Sequence, residues 1–397
     1  MKKIPLAVLS TVLSAGALLA GCSKDKDVDP PAVLVDIDHP KLKIDRLWKD
    51  GLGGKAVRLR LALRPEIVDG VAYAASHDGE VVALAEDSGH RKWRTKTKLP
   101  LSAGPGVGEG LVVVGSSHGE VVALDAATGA QRWKRTVSSE VLAVPLVTGE
   151  VAVIRLVDGR LQALSLADGQ DKWTVEQAMP KLSLRGTASP VRAGDAIIAG
   201  FDNGRVMSVD VNSGTTLWDT LVSAPHGRTE LERLSDIDAP ARVSGQDVFV
   251  VGFQGRAAML ALDSGQIWWA QDLSSYRGFS LDDDNIYVTN SDSVVQCLRR
   301  RDGAVLWEYA GLRRRGLTAP AIDGDNLVVA DFEGYVHWLD KSSGEVIARA
   351  KTDGERVTNT PVAVDGRVFV MTDAGAVVAF RSQPKAGAPP KDAPTTG

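Results

Sequence analysis

A glycine stands four residues ahead of a tryptophan again and again along this chain: Gly89 and Trp93, Gly129 and Trp133, Gly169 and Trp173, Gly214 and Trp218, Gly265 and Trp269, Gly303 and Trp307. After Gly344 the tryptophan position is held by Ala348. Successive tryptophans from Trp93 lie 40, 40, 45, 51 and 38 residues apart. A period of ~40 to 45 residues is that of four-stranded propeller blades, whereas kelch units run nearer ~50.

Each repeat divides into four short strands. An apolar run such as Leu111-Val112-Val113-Val114, Ala196-Ile197-Ile198-Ala199 or Leu327-Val328-Val329-Ala330 is too short for a helix and rich in β-branched residues, so it reads as a buried second strand. The third strand is Val-Val-Ala-Leu or its equivalent, reached through turns at His77-Asp78-Gly79 and His118-Gly119, where glycine supplies the positive φ of a tight hairpin. The fourth strand carries the tryptophan. A proline motif opens the first strand in seven places (Pro65, Pro105, Pro145, Pro190, Pro240, Pro320, Pro361), where no ladder N–H is lost.

Third strands beginning near Val81, Val121, Leu161, Val206, Ala257, Val294, Tyr335 and Ala376 make eight units. The last has no fourth strand of its own, because the chain turns to Ser382-Gln383-Pro384 and a Pro/Ala/Gly-rich tail. The missing strand is at the other end. Asp45-Arg46-Leu47-Trp48-Lys49 resembles Gln131-Arg132-Trp133-Lys134, and Trp48 precedes Trp93 by 45 residues, one period. The expected fold is therefore all-β: an eight-bladed β-propeller of four-stranded antiparallel blades over residues 41–383, closed by the N-terminal strand so that no long edge is left unpaired. An open β-solenoid leaves the permuted half repeat unexplained.

Ahead of the repeats, Lys2-Lys3, an apolar run from Ile4 to Ala20 and Leu19-Ala20-Gly21-Cys22 read as a signal peptide, residues 1–21, ending in a lipobox. The apolar run is short for a membrane span. By resemblance to bacterial lipoproteins, Cys22 becomes the first mature residue and carries the lipid, which suffices for stable anchoring when two or more chains are attached. Ser23, rather than aspartate, points to the outer membrane. Residues 22–40 are expected to form a lipid-anchored tether, since Ser23 to Pro31 holds almost no apolar residue, and residues 384–397 a disordered tail.

The formal charge of −4 becomes −6 when Lys2 and Lys3 leave with the signal, which argues against nucleic-acid binding or general affinity for anionic lipid. The membrane is reached through the anchor only. With Cys22 lipidated, Cys297 is the one remaining thiol, in a slot occupied by Ala83 and Ala123 in other repeats, and reads as a small buried residue. His77 and His118 recur at equivalent turns without a second ligand at metal spacing, and Asp282-Asp283-Asp284-Asn285 lacks the spacing of a calcium loop, so no metal is expected. Gly-x-Ser-x-Gly, P-loop and His-Glu-x-x-His motifs are absent, and no catalytic constellation replaces them. The Gly-x-x-x-Trp rhythm resembles the tryptophan-docking repeats of quinoprotein dehydrogenases, whose funnel holds pyrroloquinoline quinone and calcium. One group of those enzymes uses a disulfide of adjacent cysteines that this chain cannot form. The resemblance implies the fold, with the tryptophans packing one blade on the next, and no cofactor is expected.

The departures from the repeat are the 45 and 51 residue intervals, both lengthening a connection from a fourth strand to the next first strand, hence on one rim and adjacent blades. The first holds Leu182, Leu184 and Arg185, and the second Asp236 and Asp238, each alternating with other residues. The spacing allows two readings. The loops combine apolar anchors, an arginine and two carboxylates into a partner-binding patch; or the leucines cap the blade core and Arg185 pairs with Asp236 or Asp238.

The motifs Met-Pro-Lys-Leu-Ser-Leu-Arg-Gly (179–186) and Glu-Arg-Leu-Ser-Asp-Ile-Asp (232–238), with the lipobox and eight repeats, resemble the BamB family of outer-membrane assembly lipoproteins. The resemblance spans nearly the whole mature chain. It implies a non-enzymatic periplasmic scaffold on the outer membrane that binds the POTRA domains of BamA, with Leu182, Leu184, Arg185, Asp236 and Asp238 as the contact. It implies contacts with other subunits of the machinery and help in inserting β-barrel proteins; direct binding of unfolded barrel proteins by strand addition is a further option. The alternatives are a quinoprotein-type oxidoreductase and a cell-wall-binding lipoprotein, the latter disfavoured by an aromatic content of only 5%.

Overall fold

The computed structural model describes residues 29–385, apart from 55, 57, 58, 60 and 187. The expected signal peptide, Cys22 and most of the expected tail therefore lie outside the described residues. The chain divides into two units, Met1–Pro31 and Ala32–Gly397, and the second holds the strands.

Among the described residues there are eight sheets, seven of four antiparallel strands and one extended to five by the two-residue strand Ala62–Leu63, which pairs parallel to its neighbour. They form the eight blades of a propeller. Blade 2 is representative: Leu101–Gly108, Leu111–Ser116, Glu120–Asp125 and Gln131–Thr136. Its second and third strands are apolar on both faces because both faces are covered by neighbouring blades. Its fourth strand buries only Trp133 and turns its other side chains to solvent. Each core cluster accordingly spans two blades: Val113, Val121 and Trp133 of blade 2 pack with Ala152, Ile154 and Leu164 of blade 3. Blade 8 combines Val362–Val364, Arg367–Met371 and Ala376–Pro384 with the N-terminal strand Leu42–Gly51. That pairing closes the ring and runs from Leu42 opposite Pro384 to Gly51 opposite Ala376.

The repeated glycine and tryptophan do not meet within one repeat. A Cβ on Gly129 would lie 2.6 Å from the ring of Trp93, and one on Gly169 would lie 2.7 Å from Trp133, so each glycine seats the tryptophan of the preceding blade. The indole N–H completes the joint: Trp93 donates to Ala126 O (2.9 Å), Trp133 to Leu166 O (2.7 Å) and Trp48 of blade 8 to Glu86 O of blade 1 (2.9 Å). In every blade a register shift between the third and fourth strands lies at or next to the tryptophan position, from Arg46/Trp48 in blade 8 to Gln131/Trp133 in blade 2. One extra residue re-aims the side chain there.

Blade 7 reverses the arrangement. In most other blades a small third-strand residue faces the tryptophan, as Ala83 faces Trp93, and in blade 5 Met259 faces Trp269, whereas here Trp338 faces Ala348. Trp338 is fully buried and meets Phe380 of blade 8 edge-on at 6.0 Å. Blade 8 draws its third and fourth strands from opposite ends of the chain and so has no connecting turn to supply the glycine seat and the carbonyl.

Two expectations need amendment. Pro105 lies inside the first strand of blade 2, not at its start, at the register irregularity between Ala103 and Gly106. Residues 32–35, placed in the tether, lie on the propeller. Ala32 N–H donates to Arg313 O (2.9 Å), Arg315 donates to Ala32 O (3.0 Å), Arg349 donates to Val35 O (3.1 Å), and Leu34 packs against the core cluster shared by blades 6 and 7.

Candidate functional site

The two long connections run from Glu176 of blade 3 to Val191 of blade 4, and from Leu221 of blade 4 to Arg242 of blade 5. They meet on one rim. Leu182 is 42% exposed, Leu184 is half-buried, and Arg185 is exposed with a positive φ of 59°. Arg185 does not pair with Asp236 or Asp238. Its guanidinium binds Glu140, in the connection from blade 2 to blade 3, so three successive rim loops contribute to this surface.

Asp236 and Asp238, expected beside the leucines on the surface, are 0% and 1% exposed. The segment that carries them threads between blades: Ile237 N–H donates to Phe201 O (3.1 Å), Phe253 N–H donates to Asp236 O (2.8 Å), and the Ile237 side chain fills the space over Gly200. From beneath, the Asp236 carboxylate accepts the Leu184 N–H. Arg155, at the end of the second strand of blade 3, donates to Gly186 O (2.9 Å), pairs with Asp202 and lies over the Phe201 ring at 5.5 Å. Gly186 is fitted tightly here, since a Cβ on it would come within 3.0 Å of Asp202 Oδ1 and 3.4 Å of Arg155 Nη1. The loop is thus a small exposed apex on a buried polar base.

Carboxylate oxygens of Asp202, Asp236 and Asp238 lie within 4.8 Å of one another. The Arg155 guanidinium is paired with one of them, Asp202. Burial pushes the Asp236 carboxyl up to about 7; the Leu184 N–H opposes this, Asp238 and Asp202 add to it, and Arg155 works against it.

Sequence reasoning missed Glu140, Arg155 and Asp202. A signal for Arg155 was present: at its place in the second strand the other blades carry Ala75, Gly115, Gly200, Val251, Thr289, Ala330 and Met371. Of the other residues weighed for chemistry, His77 bonds Leu101 O (2.8 Å) through Nδ1, and Asp282 caps its own turn and pairs with Lys341 (3.0 Å). Cys297 is 1% exposed, opposite Trp307, and burial pushes its thiol up to about 12. The central cavity is lined by Arg64, Ser189, Asp238, Tyr276, Arg277 and Asn359 among others, with no cysteine.

The family model described as outer membrane protein assembly factor BamB matches residues 77–309 and 311–384. The chain belongs to the BamB family. BamB of Pseudomonas aeruginosa is 44% identical over 372 residues, covering 94% of this chain and 98% of that protein. BamB of Kangiella koreensis is 40% identical over 365 residues, covering 92% and 94%. Among solved structures, BamB from Moraxella catarrhalis superposes with a TM-score of 0.78 at 26% identity over 85% of this chain and 100% of its own. A quinohemoprotein alcohol dehydrogenase from Comamonas testosteroni reaches a TM-score of 0.67 at 13% identity, which is likeness of fold alone.

Proposed function

We propose that this chain is a non-enzymatic scaffold subunit of the outer-membrane β-barrel assembly complex. A lipid on Cys22 holds it to the periplasmic face of the outer membrane, and its rim binds the POTRA domains of BamA, assisting the folding and insertion of outer-membrane proteins. The observation that carries the contact is the apex Leu182-Ser183-Leu184-Arg185. It presents apolar side chains and a guanidinium on a rigid base, the combination of anchors that protein interfaces use. Asp236 and Asp238 serve this contact from beneath, by holding the loop.

The test is co-purification of tagged wild type and Arg185→Ala from gently solubilised membranes, with folding checked by circular dichroism. Recovery of BamA with the wild type and its loss with the variant is expected. Equal recovery moves the site elsewhere on the propeller; no BamA with either protein sinks the reading.

A further inference from the structure

The N-terminal strand that completes blade 8 starts on the rim opposite the long loops. Leu42 lies across from Pro384, at the far end of the third strand, whereas Gly51 lies across from Ala376, next to the turn between the second and third strands. In a blade of antiparallel strands that turn shares its rim with the connections from a fourth strand to the next first strand, among them the 182–186 loop. Residues 32–41 do not continue away from Leu42. They run back along the outside of blade 7. Lys41 N–H donates to Ile347 O (3.0 Å) near the start of the fourth strand Val346–Lys351, Arg349 further along that strand donates to Val35 O (3.1 Å), and Ala32 is bonded to Arg313 and Arg315 in the connection from blade 6 to blade 7. The segment therefore reaches the rim that carries the long loops.

The two arginines that hold the Ala32 and Val35 carbonyls are set by a buried polar relay. Arg315, Asp331 and His337 are 4%, 0% and 0% exposed. Arg315 donates through Nε to Asp331 (2.7 Å) and pairs with Glu333. Asp331 also accepts the N–H groups of Glu333 and Tyr335 (both 2.9 Å). His337 Nδ1 accepts from Arg349 Nε (3.1 Å), so Nε2 carries the hydrogen and donates to Asp331 (3.2 Å). Burial pushes the imidazole below its ordinary pKa, which keeps the Nδ1 lone pair available to Arg349. Polar groups cost free energy to bury unless they are bonded, and at the place of His337 four other blades carry Val82, Val122, Ala258 and Val378. The relay ends on main-chain carbonyls of the N-terminal segment, and Leu34 adds an apolar contact with the core shared by blades 6 and 7.

We propose that this relay docks the N-terminal segment so that the anchored propeller turns its loop-bearing rim toward the membrane. The proposal rests on the reading that Cys22 carries the lipid. Ala32 follows Cys22 by ten residues, a reach of at most ~33 to 36 Å from the loop-bearing rim. Undocked, the chain would leave from Leu42 on the opposite rim, twenty residues after Cys22, with a reach of ~66 to 72 Å. The dock halves the reach and reverses the rim presented to the lipid. Arg315, Asp331, His337 and Arg349 are positioning residues.

Hydrogen exchange at the Ala32 N–H in the soluble Cys22→Ser chain reads the dock. Ala32 is expected to be protected, and to exchange about tenfold faster or more in Arg315→Ala, which removes a charge-assisted bond to its carbonyl. Leu34→Asp, which changes no residue of blade 7, should act alike, so the test survives if the arginine variant misfolds. Energy transfer from a dye on the lipidated full chain to acceptor-labelled lipid, in vesicles of phosphatidylethanolamine and phosphatidylglycerol, reads the orientation. Two exposed positions of blade 1 take the dye in turn: Asp78→Cys before the third strand, on the loop-bearing rim, and Asp87→Cys after it, on the opposite rim. Cys297 is buried and stays unlabelled. Transfer is expected to be greater from position 78, and Leu34→Asp should abolish or invert the difference. Unprotected Ala32 in the otherwise wild-type chain, or equal transfer from the two positions, overturns the proposal. A chain that keeps Ala32 protected but does not bind vesicles fails the lipid reading and the orientation built on it, and leaves the dock itself standing.

Discussion

Replacing Gly129 by alanine tests whether the recurring glycine is a turn residue or a seat for the neighbouring blade's tryptophan. Gly110, in the same blade, is the control. The two have φ of 73° and 74°, but a Cβ on Gly110 meets nothing within 4 Å, whereas one on Gly129 would lie 2.6 Å from Trp93 Cε3 and 2.7 Å from Thr95 Oγ1. Both alanines bear the left-handed backbone, about 1 to 2 kcal/mol. Only the second must also displace an indole whose N–H is bonded to Ala126 O and a threonine whose hydroxyl is bonded to Gly129 O (2.6 Å). Overpacking of that kind costs typically ~1 to 3 kcal/mol. The loop has little freedom to yield, because Gly129 N–H is bonded to Asp125 O (2.8 Å) and the Asp125 carboxylate holds Thr128. Gly110→Ala is thus expected to lose about 1 to 2 kcal/mol and Gly129→Ala about 2 to 5. Urea denaturation followed by circular dichroism and tryptophan fluorescence measures both. Equal losses would refute the seat and leave only the turn.

Cys297 should resist a thiol reagent in the folded protein at pH 8 and react stoichiometrically in urea, since burial pushes its thiol up to about 12; rapid labelling of native protein would overturn its buried placement. Cys22→Ser should shift the protein from the membrane to the soluble periplasmic fraction, and unchanged fractionation would remove the lipid anchor from the proposal. Leu182→Ala and Arg185→Ala should each weaken BamA binding by about 1 to 2 kcal/mol, five- to thirtyfold in Kd, while leaving the urea midpoint nearly unchanged, because neither side chain is buried in the core. A drop in stability of the same size would make them structural.

The propeller was legible because a repeat writes the same local demands many times. Apolar second and third strands, a positive-φ glycine at most hairpins and a tryptophan in the outer strand of every blade but the seventh fix the blade, and the orphan strand around Trp48 fixes the closure. The site was legible only in outline. The two long intervals marked the rim, and the alternation in Leu182-Ser183-Leu184-Arg185 marked an exposed element. The same alternation in Asp236-Ile237-Asp238 suggested surface too, yet there it is Ile237 that fills the core over Gly200 and both carboxylates that lie buried between blades. Alternation states that neighbours face opposite ways; it does not state that either way leads to water.

What the sequence determined by itself is what short-range chemistry can specify: strand, turn, period, blade number and the positions of the lengthened loops. What only the tertiary structure decided is which residues from separate repeats come together. Trp93 finds Gly129 one blade on, Arg185 finds Glu140 across a blade boundary, and Arg155, Asp202, Asp236 and Asp238 gather from three segments beneath Leu184. Those meetings depend on how one blade packs against the next, a geometry set by bulges and side-chain volumes at the interface. No single repeat contains both halves of such a contact, so no local pattern can announce it.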